Sequence, residues 1–152
     1  MNTHSSGYYS IDEEYTIIGM QAQEQGLTTV MEVEPEVYEN PYIYGSPLHL
    51  IRAMMNIYSN CIKYNKENGE IRTHIRLLYS DEKILTYQWT ISDTGIGISE
   101  DYLSRIFEPF TQEGTDARSV YQGTGLGMSI AKALFEQMGG NLEVFSKLGE
   151  GS

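Results

Sequence analysis

The chain has 152 residues, 40% of them hydrophobic, and a formal charge of −11, which allows one sizeable core and leaves little room for a second. The acidity argues against nonspecific binding to nucleic acid or an anionic membrane, since phosphate-rich surfaces repel such a chain at long range. The single cysteine, Cys61, excludes an intrachain disulfide and fits a reducing compartment, and no window approaches the roughly 18 apolar residues of a membrane span.

Residues 1–10 are small and polar and read as a disordered or tag-like lead, and residues 11–152 as a single domain. A helix is expected over residues 11–25, ended by Gly26 in the left-handed conformation, then a strand from Thr28 to Glu34. The stretch 35–47 carries three of the four prolines and reads as a loop with one short strand, Tyr42 to Tyr44. Ser46 and Pro47 form a helix start, a cap followed by a first-turn proline, for a helix reaching about Tyr64. Asn65 to Gly69 then turn the chain.

Two β segments follow, Glu70 to Tyr79 and Lys83 to Ser92, joined through Ser80, Asp81 and Glu82 as a hairpin. In the first, Ile71, Ile75, Leu77 and Tyr79 share one face and Arg72, His74 and Arg76 the other, the alternation of a half-buried strand. A short helix from Glu100 to Ile106, a polar loop from Thr111 to Gly123, a helix from Leu126 to Gly139 and a strand from Asn141 to Ser146 complete the reading.

On the long helix, Asn60, Lys63 and Arg52 fall within about 40° of Asn56, while Ile51, Met54, Met55, Tyr58, Cys61 and Ile62 lie on the opposite side. The polar stripe fits a solvated surface. It also fits a site where two amides one turn apart and an ammonium hold hydrated Mg²⁺ and phosphate oxygens, and asparagine is a costly choice for a mere exposed helix face. Cys61 reads as packing.

Leu85, Tyr87, Trp89, Ile91 and Asp93 share one parity, so Asp93 should face the core side of its strand. A carboxylate there is costly unless hydrogen-bonded. It could organise an Asx-type turn, or accept from an exocyclic amine while Gly95 and Gly97 let the backbone approach a planar ligand. Gly123, Gly125 and Gly127 open the last helix, where exposed N–H groups form a natural phosphate seat. Neither glycine cluster has a Rossmann or P-loop pattern.

Taken in order, Asn56-Ile-Tyr-Ser-Asn60-Cys-Ile-Lys63-Tyr64, Asp93-Thr-Gly95-Ile-Gly97, Ile106-Phe107-Glu108-Pro109-Phe110 and Gly123-Thr-Gly125-Leu-Gly127 resemble the N box, first glycine box, F box and second glycine box of sensor histidine kinases. The resemblance spans roughly residues 15 to 150. It implies an α+β fold, the two-layer α/β sandwich named after Bergerat, with a mixed sheet, helices packed on one face and a last strand expected to be truncated here. It implies ATP and Mg²⁺ as cofactors, with Asn60 on the metal, Asn56 and Lys63 near the phosphates as the other catalytic residues, and Tyr64 beside the nucleotide. Asp93 would bind the adenine amino group, supported by Gly95, Gly97 and Ile98. Gly123, Thr124, Gly125, Leu126 and Gly127 would seat phosphate, residues 111–122 would form a lid, and Phe107 and Phe110 would anchor its base, a plain core role being equally compatible.

In the wider superfamily the position of Asn56 is usually a water-activating glutamate, so Asn56 disfavours ATP hydrolysis and favours phosphoryl transfer to a protein. The expected partners are ATP, a dimerisation and phosphoacceptor region of the full-length protein and, indirectly, a response regulator, with no nucleic acid. His4, His49 and His74 lie in no acceptor context, so this chain alone is not expected to be active. A non-catalytic nucleotide-binding scaffold is the alternative. A cytoplasmic location is expected, whether or not the parent protein is anchored in a membrane.

Overall fold

A computed structural model describes residues 11–39, 46–110 and 127–152. In chain order these form α1 (Ile11–Glu24), β1 (Thr28–Val33), α2 (Pro35–Glu39), α3 (Pro47–Lys63), β2 (Glu70–Ser80), β3 (Leu85–Asp93), α4 (Glu100–Leu103) and α5 (Gly127–Gln137). The expected lead at residues 1–10, the strand at Tyr42–Tyr44 and the loop at residues 111–123 lie outside the described residues.

The strands make a mixed sheet in the order β1-β2-β3. β1 runs parallel to β2, with Thr28 opposite Glu70 and Val33 opposite Ile75, and a parallel pair needs a long crossover, here the chain carrying α2 and α3. β2 and β3 are antiparallel, with Ile71 opposite Asp93 and Ile75 opposite Trp89. Ile71, Thr73 and Ile75 are buried on one face of β2 while Arg72 and Arg76 are exposed on the other.

The packing of α1 and α3 falls on that buried face, as expected of a two-layer α+β sandwich. Ile18 and Ala22 of α1, Leu27, Leu50, Met54, Tyr58 and Cys61 of α3, and Ile71 of β2 form one core cluster, with Trp89 and Ile91 against it. Ala53 joins Ala131 and Leu134 of α5 in a second. Each fully buried aliphatic side chain contributes about 1.5–3 kcal/mol. The opposite sheet face carries Arg72 bonded to Glu32 at 2.7 Å and Glu70 at 3.0 Å and Arg76 donating to Gln88 at 2.7 Å, exposed pairs worth about 0–1 kcal/mol each.

The capping signals act where they were read. The Ser46 hydroxyl accepts from His49 N at 3.4 Å with Pro47 at the first helical position, and Gly26 follows α1 at φ +73°. Tyr58 of α3 meets the sheet through a polar atom, its hydroxyl 2.6 Å from Thr73 Oγ1 with both residues buried.

Several expectations are corrected. Residues 35–39 form a helix rather than a loop, because Pro35 occupies a first-turn position that needs no N–H and Val37 finds a buried site. Tyr79 leaves the core face, since an irregularity between Leu77 and Tyr79 shifts the register; it is 54% exposed and donates to Asp81 Oδ2 at 2.8 Å. Ile51 of α3 is exposed, and Leu50 and Ala53 are buried instead. The helix expected to reach Ile106 stops at Leu103, where the Ser104 hydroxyl takes the Asp101 carbonyl at 2.8 Å and three-residue turns such as Arg105 N to Tyr102 O replace helical bonds.

Residues 141–146 form no strand. Half-burial alternates along them, but no neighbouring described strand supplies a ladder, and the Leu142 carbonyl is taken by Lys132 Nζ at 3.2 Å. Among the described residues no helix is long and apolar enough to cross a membrane.

Replacing Tyr58 by Phe should leave the Thr73 hydroxyl buried without its partner and destabilise the fold by about 1–3 kcal/mol, read as a lower urea midpoint with an unchanged slope.

Candidate functional site

The site grows from the C-terminal turn of α3. Tyr64 N closes the helix on Asn60 O at 3.0 Å, and Tyr64 O accepts from Ile96 N at 3.0 Å, so the helix end is fastened to the segment leaving β3. Beside this seam Thr94 Oγ1 accepts from Glu70 N at 2.8 Å and lies 3.1 Å from Asn65 Oδ1 as its donor, and Asn65 Nδ2 donates to Glu70 O at 3.2 Å. Asn56, Asn60 and Tyr64 are thereby half-buried along one stripe, and Lys63 is exposed at its end.

Gly95 and Gly97 make close approaches to the chain's own backbone. A Cβ at Gly95 would stand 2.5 Å from the Tyr64 carbonyl oxygen, so the α3 seam requires glycine there. Gly97 has φ +69°, and a Cβ on it would collide with the Lys147 carbonyl, since residues 146–152 fold back over this segment. Ser146 Oγ accepts from Ile98 N at 2.8 Å and donates to Gly151 O at 2.8 Å, Gly149 N donates to Ile96 O at 2.7 Å and Asp93 N to Ser152 O at 2.9 Å.

Asp93 sits at the centre of this arrangement on the core-facing parity of β3, half-buried. Its Oδ1 accepts from Gly95 N at 2.8 Å, so it does organise the turn. Desolvation by burial outweighs that bond and holds the Asp93 carboxyl above its ordinary value. Cys61, buried beneath it, is pushed far above the usual thiol range, first by burial and then by the Asp93 charge, which makes it an unreactive, protonated thiol.

Asn56 departs from an ordinary solvated face: its Nδ2 is buried with no hydrogen-bond partner among the described residues. An unpaired buried amide donor costs about 1–3 kcal/mol, and an anionic ligand oxygen would relieve it. Lys63 makes no ion pair with a described residue, whereas Arg72, Lys132 and Lys147 all do. No group of three or more His, Cys, Asp or Glu side chains among the described residues could hold a metal by itself; a cation here would need ligands from a bound phosphate and water, the usual habit of Mg²⁺.

Phe107 is half-buried with Lys132 Nζ 4.7 Å from its ring centroid, which ties the segment after α4 to α5. Phe110 is 77% exposed, so a core role for it is excluded. Gly127 opens α5, where an added Cβ would meet nothing within 4 Å; Gly123, Thr124, Gly125 and Leu126 lie outside the described residues. Sequence reading passed over Asn65, Thr94 and Ser146. An Asx-type pattern around Asn65 could have flagged the first two, whereas Ser146 depends on the return of residues 146–152.

This geometry, a three-stranded mixed sheet backed by helices with a partly buried aspartate at the exit of β3 beside a helix bearing two asparagines, defines a class of ATPase-like domain. The chain belongs to the histidine kinase-, DNA gyrase B- and HSP90-like ATPase family, whose model matches residues 45–152. Within it the resemblance is to sensor histidine kinases: the chain is 32% identical over 142 residues to sensor histidine kinase AruS of Pseudomonas aeruginosa, covering 93% of this chain and 14% of that protein. Full-length ShkA, solved in complex with AMPPNP, superposes with a TM-score of 0.73 at 26% identity over 97% of this chain and 29% of that one. The catalytic domain of histidine kinase ThkA shares the fold, with a TM-score of 0.66 at 24% identity over 84% of this chain and 74% of that one. The fold and the family read from the four motifs are therefore borne out. The chain spans 14% of AruS and 29% of ShkA.

Because the native state holds a proton on Asp93 to higher pH than the unfolded chain does, this group's contribution to stability falls as pH rises from the ordinary carboxylate range through the raised value. Thermal melts across that range should show this loss in the unliganded chain, and Asp93→Asn should flatten it. Gly97→Ala should destabilise by more than about 1 kcal/mol, since it meets both a positive φ and a backbone collision, seen as a lower melting temperature.

Proposed function

We propose that this chain is the catalytic domain of a sensor histidine kinase, binding Mg·ATP and passing the γ-phosphate to a histidine on a separate dimerisation region of the full-length protein. The observation that carries the reading is the half-buried Asp93 carboxylate, held by Gly95 N, beside a helix stripe whose Asn56 amide lacks a partner among the described residues. One end of such a site suits an exocyclic amine and the other suits phosphate oxygens. That full-length ShkA was solved with AMPPNP is consistent with a nucleotide in this position.

In this reading Asp93 accepts from the adenine amino group, with Tyr64, Gly95, Gly97 and Ile98 framing the base. Asn56 and Lys63 meet phosphate oxygens, Asn60 holds Mg²⁺, Phe107 braces the base of the lid, and the backbone of Gly123, Thr124, Gly125, Leu126 and Gly127 seats the phosphates. Bound Mg²⁺ supplies charge neutralisation on the phosphates. The chain's own contribution is positioning and electrostatics rather than covalent chemistry: the amides and ammonium hold the γ-phosphate, and no carboxylate at position 56 activates water against it. Residues 11–152 would act as one domain in a cytoplasmic setting, with a response regulator receiving the phosphoryl group from the acceptor histidine.

Calorimetric titration should show saturable binding of Mg·ATP and none of comparable strength for GTP. Asp93→Asn should weaken ATP at least about tenfold, equivalent to about 1.4 kcal/mol; unchanged affinity would remove the adenine assignment. Adding γ-labelled ATP and the acceptor-histidine region should place label on the acceptor, whereas binding without transfer would leave a nucleotide-dependent scaffold.

A further inference from the structure

The end of α3 is tied to the exit of β3 by side chains as well as by the bond from Ile96 N to Tyr64 O. Thr94, the residue after Asp93, accepts from Glu70 N at 2.8 Å. Its hydroxyl donates to Oδ1 of Asn65, the residue after Tyr64, at 3.1 Å, with Glu70 O at 3.4 Å as the alternative acceptor. Asn65 Nδ2 donates to Glu70 O at 3.2 Å, and Asn65 Oδ1 also accepts from Lys66 N at 3.0 Å. Both side chains are half-buried. Gly69 makes room for them, since a Cβ there would collide with Asn65 Oδ1 and stand 2.8 Å from Thr94 Oγ1.

The pairing of β2 with β3 does not need this cluster. Ile71 already stands opposite Asp93 in the antiparallel ladder, and Thr94 N donates to Glu70 O at 3.1 Å. What the cluster adds is a second attachment for α3. A single hydrogen bond at Tyr64 is a pivot, and the packing of Met54, Tyr58 and Cys61 on Ile71 holds the helix down on the sheet without fixing its swing across it. At about 1.5 Å per residue, Asn60 lies about 6 Å and Asn56 about 12 Å along the axis from Tyr64, so a swing of about 5° carries the Asn56 amide about 1 Å. A displacement of that size is enough to spoil a contact to a bound group.

We propose that Asn65 and Thr94 are positioning residues of the nucleotide site, their hydrogen bond setting the spacing between Asp93 at the base end and the Asn56–Asn60 stripe at the phosphate end. The proposal rests on the nucleotide reading above. Both residues act through their neighbours Asp93 and Tyr64 rather than on the ligand. A ligand that spans both ends feels the spacing, and one that occupies the base end alone does not.

The test compares affinity for Mg·ATP, which spans the site, with affinity for adenosine, which lacks phosphates, at a temperature well below each variant's melting midpoint. Thr94→Val, which deletes the hydroxyl and keeps the branched shape, should weaken Mg·ATP about fivefold to tenfold and adenosine less than about twofold. Asn65→Ala should show the same split, and the double variant should lose no more than about twofold beyond the worse single one, because the two side chains act as one bond. Thr94→Ser should stay within about twofold of the parent chain for both ligands. A merely structural role lowers the folded fraction, which weakens both ligands by the same factor. Equal losses for ATP and adenosine, unchanged ATP affinity in either single variant, or a Thr94→Ser variant as impaired as Thr94→Val would therefore overturn the proposal. A parent chain that binds neither ligand, or an Asp93→Asn variant with unchanged adenosine affinity, would remove the nucleotide reading itself, and the positioning role with it.

Discussion

The arrangement depends on one junction, the hydrogen bond from Ile96 N to the Tyr64 carbonyl at 3.0 Å. It fixes the end of α3 against the exit of β3, and every candidate contact for a ligand is measured from that point. Neutral hydrogen bonds contribute only about 0.5–1.5 kcal/mol each, so the junction holds because several act together. Asn65, Thr94 and Glu70 form a second link from the same turn to the start of β2, and Gly95 removes the side chain that would force the two segments apart. The packing of Met54, Tyr58 and Cys61 over Ile71 then keeps the helix axis from tilting away.

Against this rigid seam stand groups that lower stability. Asp93 is raised above its ordinary range by desolvation, and Asn56 carries a buried donor with no partner among the described residues. Each opposes folding, and each would be relieved by a ligand that places an amine or an anionic oxygen in the right position. Such unresolved polarity beside a well-packed core is expected of a binding site, where complementarity is to the complex rather than to the empty protein.

The electrostatics follow the same division. A formal charge of −11 repels polyanions at a distance, yet an anionic nucleotide can bind if the local field is reversed. On the open sheet face the charge is spent in exposed pairs among Glu32, Glu70 and Arg72. Lys132 sits between Glu136, Asn141 and the Phe107 ring, serving the α4–α5 connection. Lys63, at the end of the asparagine stripe and without an ion pair to a described residue, is positioned to act locally.

The sequence by itself determined the local features with short-range causes. Ser46 and Pro47 signalled a helix start, the alternation of Ile71, Ile75 and Leu77 against Arg72, His74 and Arg76 signalled a strand with one buried face, and the parity of β3 put Asp93 on the core side. Four motifs in order named the family. Residues 141–146 show where such reasoning stops, because an extended segment becomes a strand only if a neighbour offers a ladder. The register irregularity after Leu77 likewise turned Tyr79 out to solvent against its alternation.

Tertiary structure alone decided which atoms meet. Gly97 was legible as a glycine suited to close approach, but that its neighbour is the Lys147 carbonyl follows from the return of residues 146–152. Cys61 was legible as packing, but that it packs with Ile71, opposite Asp93 in the register, follows from how α3 lies on the sheet. Hydrogen bonds across 29 or 48 positions, as between Thr94 and Asn65 or Ile98 and Ser146, leave no periodic trace in a chain. Periodicity encodes which way a side chain points, whereas partnership is set by how separate elements pack.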